Sequence, residues 1–320
     1  MISAHNSISS EPRPEIYPLL AKQVVMIPVS GSVTMDDIRE NESLKGRKII
    51  ACDFHIEGIE KGQELPYGYS KDNVITIDHH APTSRMMRHI SSTNLAIDFV
   101  NKHGAVTEET AVVINHCDCD SVLATLVLTG IIPPDEKIFG KAAIAADHTG
   151  ELNDIADLLQ ALESKRDLNF STRNLLRLLN KQEIEPEAAE LLQNTEERRR
   201  QVTRAAENGS FKPKEGGLLW AVLTEKLDSC LLPACLPKEA KLIMTANPDP
   251  KNQDLWQVRL RLGPSAPENF SLFDLQINEY DSSFGGRWNA GSNARGGGTT
   301  KIPAEYAEEV SKRLRKALAR

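Results

Sequence analysis

Between Val24 and Ala146, short apolar and mostly β-branched runs alternate with polar or helical stretches. The runs are Val24-Val25-Met26-Ile27, Lys48-Ile49-Ile50-Ala51, Val74-Ile75-Thr76-Ile77, Val112-Val113-Ile114 and Ala142-Ala143-Ile144-Ala145-Ala146. Near-continuous apolar runs of this length predict strands of a parallel sheet buried on both faces by helices. From Glu151 to Gly209 the pattern becomes charged and leucine-rich, with Ile155, Leu158, Leu159 and Leu162 at helical spacing and a second cluster at Leu175, Leu176, Leu178 and Leu179. This predicts two or three helices, with Pro186 in a first turn and Asn208-Gly209 at a helix end. Strands are predicted again at Leu218 to Thr224, Lys241 to Ala246 and Trp256 to Leu262, followed by a Gly-rich stretch and a helix from Pro303 to Arg320. The expected organisation is α/β: a parallel-sheet domain over 1–150, a helical connector over 151–210 and a smaller α/β domain over 211–320.

Length and composition narrow the classes. At 320 residues the chain has room for two domains, each large enough to bury a core. A net charge of −7 argues against a general nucleic-acid or membrane-surface binder, while leaving room for a local basic groove. No stretch approaches the ~18 consecutive apolar residues that cross a bilayer, and the polar start Met1 to Glu15 lacks the apolar centre of a secretory signal, so the cytoplasm is the expected compartment. Five cysteines, an odd number spread over a long chain, fit reduced thiols better than a disulfide framework. The run Glu196-Glu197-Arg198-Arg199-Arg200 reads as a solvated helix face.

The residues just past the predicted strands carry the chemistry. Ala51 leads into Cys52-Asp53-Phe54-His55, Ile77 into Asp78-His79-His80, Ile114 into Asn115-His116-Cys117-Asp118-Cys119-Asp120, and Ala146 into Asp147-His148. Open α/β sheets bind ligands beyond the carboxyl ends of their strands, so these groups are expected to converge. A lone Asp at such a position is usually a helix N-cap. Asp53, Asp78, Asp118, Asp120 and Asp147 gathered together would repel one another unless cations neutralise them. Carboxylates mixed with imidazoles suit Mn²⁺ or Mg²⁺ better than Zn²⁺, and the number of groups is enough for two ions. Cys117 and Cys119 alternate with Asp118 and Asp120 and are expected to point into the core rather than form a zinc site.

These residues resemble the DHH phosphoesterases. Val74-Ile75-Thr76-Ile77-Asp78-His79-His80-Ala81-Pro82 is similar to the family signature, in which a strand runs into Asp-His-His. Cys52-Asp53 resembles its single-Asp motif, Asn115-His116-Cys117-Asp118-Cys119-Asp120-Ser121 its D-x-D motif, and Ala146-Asp147-His148-Thr149-Gly150 its late Asp-Thr-Gly motif. Phe284-Gly285-Gly286-Arg287 through Arg295-Gly296-Gly297-Gly298 looks like the Gly-rich substrate loop of the C-terminal domain that accompanies the family. The resemblance covers roughly 48–150 and 211–302 and leaves 1–23 and most of the connector unassigned. It departs from the family in order, because D-x-D here comes after Asp-His-His; a permuted strand order accommodates this if the strand ends still meet. It departs also in spacing, because His116 lies two residues before Asp118 rather than four.

The resemblance implies that Asp53 bridges two metals, that Asp118 and His116 bind the first, and that Asp120, His79 and Asp147 bind the second. Asp78 is then expected to orient His79, and His80 to face the scissile phosphate as a hydrogen-bond donor or acid. His55 and His148 receive no role. The segment Gly285 to Gly298 holds six glycines with Arg287, Asn289, Ser292, Asn293 and Arg295 interleaved, a pattern suited to gripping phosphate with backbone N–H groups and guanidinium forks. The expected activity is hydrolysis of a small phosphodiester or phosphoanhydride by a metal-activated water, with two Mn²⁺ ions or Mg²⁺ as cofactor. The candidate substrates are a short oligonucleotide, a nucleoside bisphosphate, a cyclic dinucleotide, or poly- or pyrophosphate. A homodimer is allowed and no membrane partner is expected. The alternative is a non-catalytic metal- and nucleotide-binding regulatory module on the same fold; a metal hydrolase of a non-phosphate substrate is disfavoured by Arg287 and Arg295.

Overall fold

The computed structural model describes residues 20, 22–27, 32–80, 86, 89–208, 210–225 and 227–319. Ala81-Pro82 of the Asp-His-His motif and Gly209 of the expected helix end lie outside the described residues. The chain divides into two compact units, one holding the described residues up to Asp147 with Leu152–Thr195, the other His148–Glu151 with the residues from Glu196 onward.

The first unit carries β1 (Val24–Met26), β2 (Val33–Thr34), β3 (Lys48–Cys52), β4 (Ile56–Glu57), β5 (Gln63–Leu65), β6 (Gly68–Lys71), β7 (Val74–Ile77) and β8 (Thr110–Ile114). β2 and β4 form a small parallel pair, and the other six strands form one sheet in the order β1-β8-β3-β7-β6-β5. β1, β8, β3 and β7 run parallel, as their apolar sequences predict. Every residue of β8 is buried, which is why it reads as an unbroken apolar run rather than an alternation. β5 and β6 add an antiparallel hairpin to the β7 edge. Its polar sequence, Gln63-Glu64-Leu65 and Gly68-Tyr69-Ser70-Lys71, gave no strand signal.

Around this sheet lie α1 (Met35–Glu40), α2 (Ser92–His103), α3 (Cys119–Leu128), α4 (Asp154–Leu162), α5 (Leu168–Leu179) and the first part of α6 (Pro186–Glu207). All residues of α3 are buried, so it is a core helix without a polar face. The fifth predicted strand is corrected: Lys141–Ile144 is α-helical and continues into a π-helical turn over Ala145–Thr149. Alanine has the highest helix propensity, and a run of four alanines around one isoleucine lacks the β-branching that made the other four segments strands.

The second unit carries β9 (Lys212–Lys214), β10 (Leu218–Val222), β11 (Leu242–Pro248), β12 (Trp256–Leu262), β13 (Gly285–Gly286) and β14 (Ala290–Ser292), in the order β13-β14-β12-β11-β10-β9. Among the described residues of this sheet only the β10–β11 pairing is parallel. Pro213 sits in β9 at the sheet edge, where a strand tolerates a missing donor. α7 (Pro303–Leu318) buries Tyr306, Ala307, Val310 and Leu314 at three- and four-residue spacing and packs on β10. Among the described residues no helix is long and apolar enough to cross a membrane.

Candidate metal centre

Three adjacent parallel strands deliver the predicted groups to one edge. β3 ends in Asp53, β7 in Asp78-His79-His80, and β8 in the turn Asn115 to Asp118 that opens α3. The order of these motifs along the chain is immaterial to their meeting, because neighbouring parallel strands end on the same side of a sheet whatever their sequence order.

Asp53 is the hub. Its backbone adopts a left-handed conformation with φ of 64°, which an Asp tolerates better than most side chains but which still costs on the order of 1 kcal/mol. The side chain is 1% exposed. Its Oδ1 accepts from Ser92 Oγ at 2.8 Å and lies 3.7 Å from both His79 Nε2 and His80 Nδ1. Its Oδ2 lies 3.2 Å from His116 Nε2 without completing a hydrogen bond. Burial raises the Asp53 carboxyl above its ordinary value, and the nearby Asp118 charge adds to this.

The histidines are held from behind. His79 Nδ1 donates to the Ile90 carbonyl at 2.7 Å, which turns Nε2 toward Asp147 Oδ2 at 3.1 Å and Asp120 Oδ2 at 3.7 Å. His116 Nδ1 bonds the Asn115 side-chain oxygen, which turns its Nε2 toward Asp118 Oδ2 at 3.1 Å. Arg166 donates to the Asn115 main-chain carbonyl at 2.9 Å and fixes the same turn. In both rings the back-side bond leaves Nε2 as the atom facing carboxylates. An unprotonated Nε2 cannot rest against carboxylate oxygens, so either a proton or a cation must lie between them. Burial opposes charge on His79, yet Asp147, Asp120 and Asp53 outweigh it and push the imidazole up to about 10. His116 likewise rises against its burial to about 11, through Asp118 and Asp53.

The carboxylates divide between structural and open atoms. Asp118 is the N-cap of α3: Oδ1 accepts from Ser121 N at 2.9 Å, and Oδ2 remains for His116. Asp120 accepts from Ser92 N and Thr93 N, both at 2.7 Å, so each of its oxygens also meets the first turn of α2. Burial and the Asp53 charge raise it to about 7. Asp78 departs from expectation by bonding His80 rather than His79: its Oδ1 accepts from His80 N and from His80 Nδ1, both at 2.9 Å. Burial would raise Asp78, but the His80 hydrogen bond and charge hold it below its ordinary value.

Among the described residues of the first unit, two sets of side chains have ligand atoms close enough to share a cation: Asp53 with His79 and His80, and Asp53 with His116 and Asp118. Asp53 belongs to both. The buried Oδ2 of Asp53, which has no hydrogen-bond partner among the described residues, and the two rings aimed at carboxylates fit a divalent cation with oxygen and imidazole ligands. His55 pairs with Glu60 at 3.7 Å. Cys117 and Cys119 are buried, and burial raises both thiols, which suits core packing rather than ligation.

In the second unit the Gly-rich segment sorts its residues. Asn293 is fully buried, its Oδ1 accepting from Val258 N at 2.8 Å and its Nδ2 donating to Asp281 at 2.9 Å, so it holds the segment to β12 instead of facing a ligand. Gly296 lies against Ser283, where a Cβ would meet the Ser283 carbonyl at 2.4 Å; close packing demands this glycine. Gly297 and Gly298 have φ of 95° and 78°. Ser292 Oγ accepts from Ala294 N at 3.0 Å, Arg287 is half-buried and Arg295 is exposed. Asn289, 2% exposed, bonds His148 Nδ1 at 2.8 Å, and its Oδ1 has no hydrogen-bond partner.

Arg259 and Arg261 are two further arginines of the second unit, which the sequence motifs do not single out. Both lie on one face of β12, opposite Ser292 and Ala290 of β14. Arg261 is 5% exposed and donates to Cys230 Sγ at 3.4 Å. Arg259 bonds the neutral oxygens of Asn247 and Gln257, and burial lowers its pKa. The alternation Arg259-Leu260-Arg261-Leu262 was the available signal: a strand that places arginines on one face and leucines on the core.

No family model matches the chain, and no curated protein matches it. Among solved structures it is similar to a pGpG-specific phosphodiesterase, PggH of Vibrio cholerae, with 13% identity over 71% of this chain and 96% of that one and a TM-score of 0.40. It is also similar to an exopolyphosphatase-related protein from Bacteroides fragilis, with 14% identity over 94% and 75% of the two chains and a TM-score of 0.38. RecJ from Thermus thermophilus, in complex with Mg²⁺, aligns at 13% identity over 70% of this chain and 34% of its own, with a TM-score of 0.33. Likeness at this level transfers no activity, and the chemistry open to the cluster is set by its own side chains.

Proposed function

We propose that the chain is a metal-dependent phosphoesterase of the DHH type, acting on a small phosphodiester or phosphoanhydride with Mn²⁺ or Mg²⁺. The observation that carries this reading is the meeting of Asp53, His79, His80, His116 and Asp118 at the ends of three adjacent strands, with Asp53 common to both ligand sets. Asp53, His116 and Asp118 would hold one cation, and Asp53 with His79, Asp120 and Asp147 a second. Divalent cations bound there neutralise phosphoryl oxygens and lower the pKa of a bound water.

The remaining work falls to the chain's own groups. His80 is tied through Nδ1 to Asp78, which favours the charged ring over the opposing effect of burial, and its side chain is 35% exposed. It can therefore present a proton on Nε2 to a phosphoryl or leaving oxygen. Asp78, as the partner of His80, fixes that ring rather than serving as a ligand. In the second unit Arg287 and Arg295, with Asn289 and Ser292, are the side chains proposed to bind phosphate groups. The net charge of −7 and the low aromatic content of 5% favour a small anionic substrate over a long nucleic acid.

The test is release of phosphate or mononucleotide from a panel of short oligonucleotides, nucleoside bisphosphates, cyclic dinucleotides and polyphosphates, in Mn²⁺, Mg²⁺ or EDTA. Release that requires metal and is lost in an Asp78→Ala/His79→Ala variant supports the phosphoesterase. Stoichiometric Mn²⁺ binding with no release from any member replaces it with the non-catalytic metal- and nucleotide-binding module.

A further inference from the structure

We propose that Ser92 is a positioning residue of the metal centre, an inference that rests on the proposed function. Ser92 is fully buried at the first turn of α2 and touches three of the candidate ligands, which come from three separate segments. Its Oγ donates to Asp53 Oδ1 at 2.8 Å, its Oγ accepts from the His79 backbone N–H at 3.2 Å, and its own N–H donates to Asp120 Oδ2 at 2.7 Å.

The direction of each bond is fixed by valence. A backbone N–H can only donate, so the His79 contact uses a lone pair of the hydroxyl, and the single hydroxyl proton is directed at Asp53. That bond takes one lone pair of Oδ1 and leaves Oδ2, which has no hydrogen-bond partner, turned toward His116. The same residue therefore sets which face of the shared carboxylate is open, holds the strand-end backbone that aims His79, and anchors Asp120 against a helix N-terminus. Thr93 completes the anchor, donating its N–H to Asp120 Oδ1 at 2.7 Å and its hydroxyl to the Asp120 main-chain oxygen at 3.1 Å.

The preceding serine provides the matched control. Ser91 is equally buried, but its hydroxyl donates to Asn94 Oδ1 at 2.8 Å and accepts from Asn94 N at 3.2 Å, so its hydroxyl bonds close the helix cap. Two adjacent serines of one helix end thus serve different things, one the helix and one the carboxylates.

The experiment titrates Mn²⁺ into wild type, Ser92→Ala, Ser92→Cys and Ser91→Ala by electron paramagnetic resonance and calorimetry, with melting temperatures in EDTA as the measure of fold. Ser92→Ala is expected to weaken Mn²⁺ binding about tenfold or more, as loss of a ligand-orienting hydrogen bond does. Ser92→Cys, with a similar volume and a weak S–H donor, is expected to fall between it and wild type, and it carries the test if the alanine variant does not fold. Ser91→Ala is expected to melt lower in EDTA while binding Mn²⁺ within about twofold of wild type. Wild-type affinity in both Ser92 variants, or equal loss in Ser91→Ala, overturns the assignment. Wild type that binds no Mn²⁺ overturns the metal reading itself, an outcome visible before any variant is compared.

Discussion

Asp53 in the first unit and Asp281 in the second are both buried carboxylates, 1% and 5% exposed, and their surroundings treat them in opposite ways. Asp281 is surrounded by donors: Asn293 Nδ2 at 2.9 Å, the Tyr306 hydroxyl at 3.1 Å, and the Ser283 N–H and hydroxyl. Asp53 receives the Ser92 hydroxyl and is otherwise faced by imidazoles and by other carboxylates, with Oδ2 left open. A buried charge that neutral donors fully satisfy is part of the scaffold, whereas one left short of donors and close to like charges is a place for a cation. The same contrast separates Asn293, consumed by the fold, from the exposed Arg295 nearby in the same segment.

The sharpest way to break the contrast is to neutralise its hub. Asp53→Asn should lower Mn²⁺ affinity at least ~100-fold and abolish metal-dependent phosphate release, because the carboxylate belongs to both ligand sets. In EDTA the same variant should melt no lower than wild type, since it relieves repulsion from Asp118. Asp281→Ala should do the reverse. Leaving Asn293 and Tyr306 without their acceptor should cost about 2–3 kcal/mol and lower the melting temperature by on the order of 5–10 °C. Mn²⁺ affinity should stay within about twofold of wild type.

A pH series sharpens the comparison next. In metal-free protein His79 lies at about 10 against an ordinary 6.5, so its contribution to stability is complete below 6.5 and is lost as pH rises through 10. Asp120, raised to about 7 from 3.8, binds its proton more tightly in the fold, and its effect also declines as pH rises from 3.8 through 7. Melting temperature in EDTA should therefore fall by several degrees between pH 6 and pH 10, and Mn²⁺ should remove most of that slope. Because the cation displaces protons from His79 and His116, binding should release protons at pH 7.5 and strengthen with pH. Calorimetry in two buffers of different ionisation enthalpy measures this directly. The smallest effect should come from Arg295→Ala, which leaves the melting temperature within about 1 °C and raises KM a few-fold. The Arg287→Ala/Arg295→Ala pair should raise it further, and unchanged KM in the pair would remove both from the grip.

The strands β3, β7 and β8 and the Asp and His residues after them were legible because β-branched apolar runs and the polar residues that end them are local signals. The fourth Asp-His pair was also legible, but not its support: Ala142 to Ala146 satisfies an apolar-run rule and a helix-propensity rule at once, and the unbranched alanines favour the helix that forms. The partners of the site were not legible. Ser92, 39 residues from Asp53, and Ile90, whose carbonyl aims His79, carry no motif of their own, since a serine hydroxyl or a main-chain carbonyl looks the same in any sequence.

The chain's sequence thus determined which residues end its strands and what chemistry they bring, because propensity, apolar pattern and side-chain type act over a few neighbouring positions. The tertiary structure decided which of those groups lie close enough to share a cation, that Asp78 bonds His80, that Asn293 belongs to the fold, and which atoms remain open. Hydrogen-bond direction and the burial of charge depend on partners distant in sequence, which sheet order and the packing of helices on the sheet bring within reach.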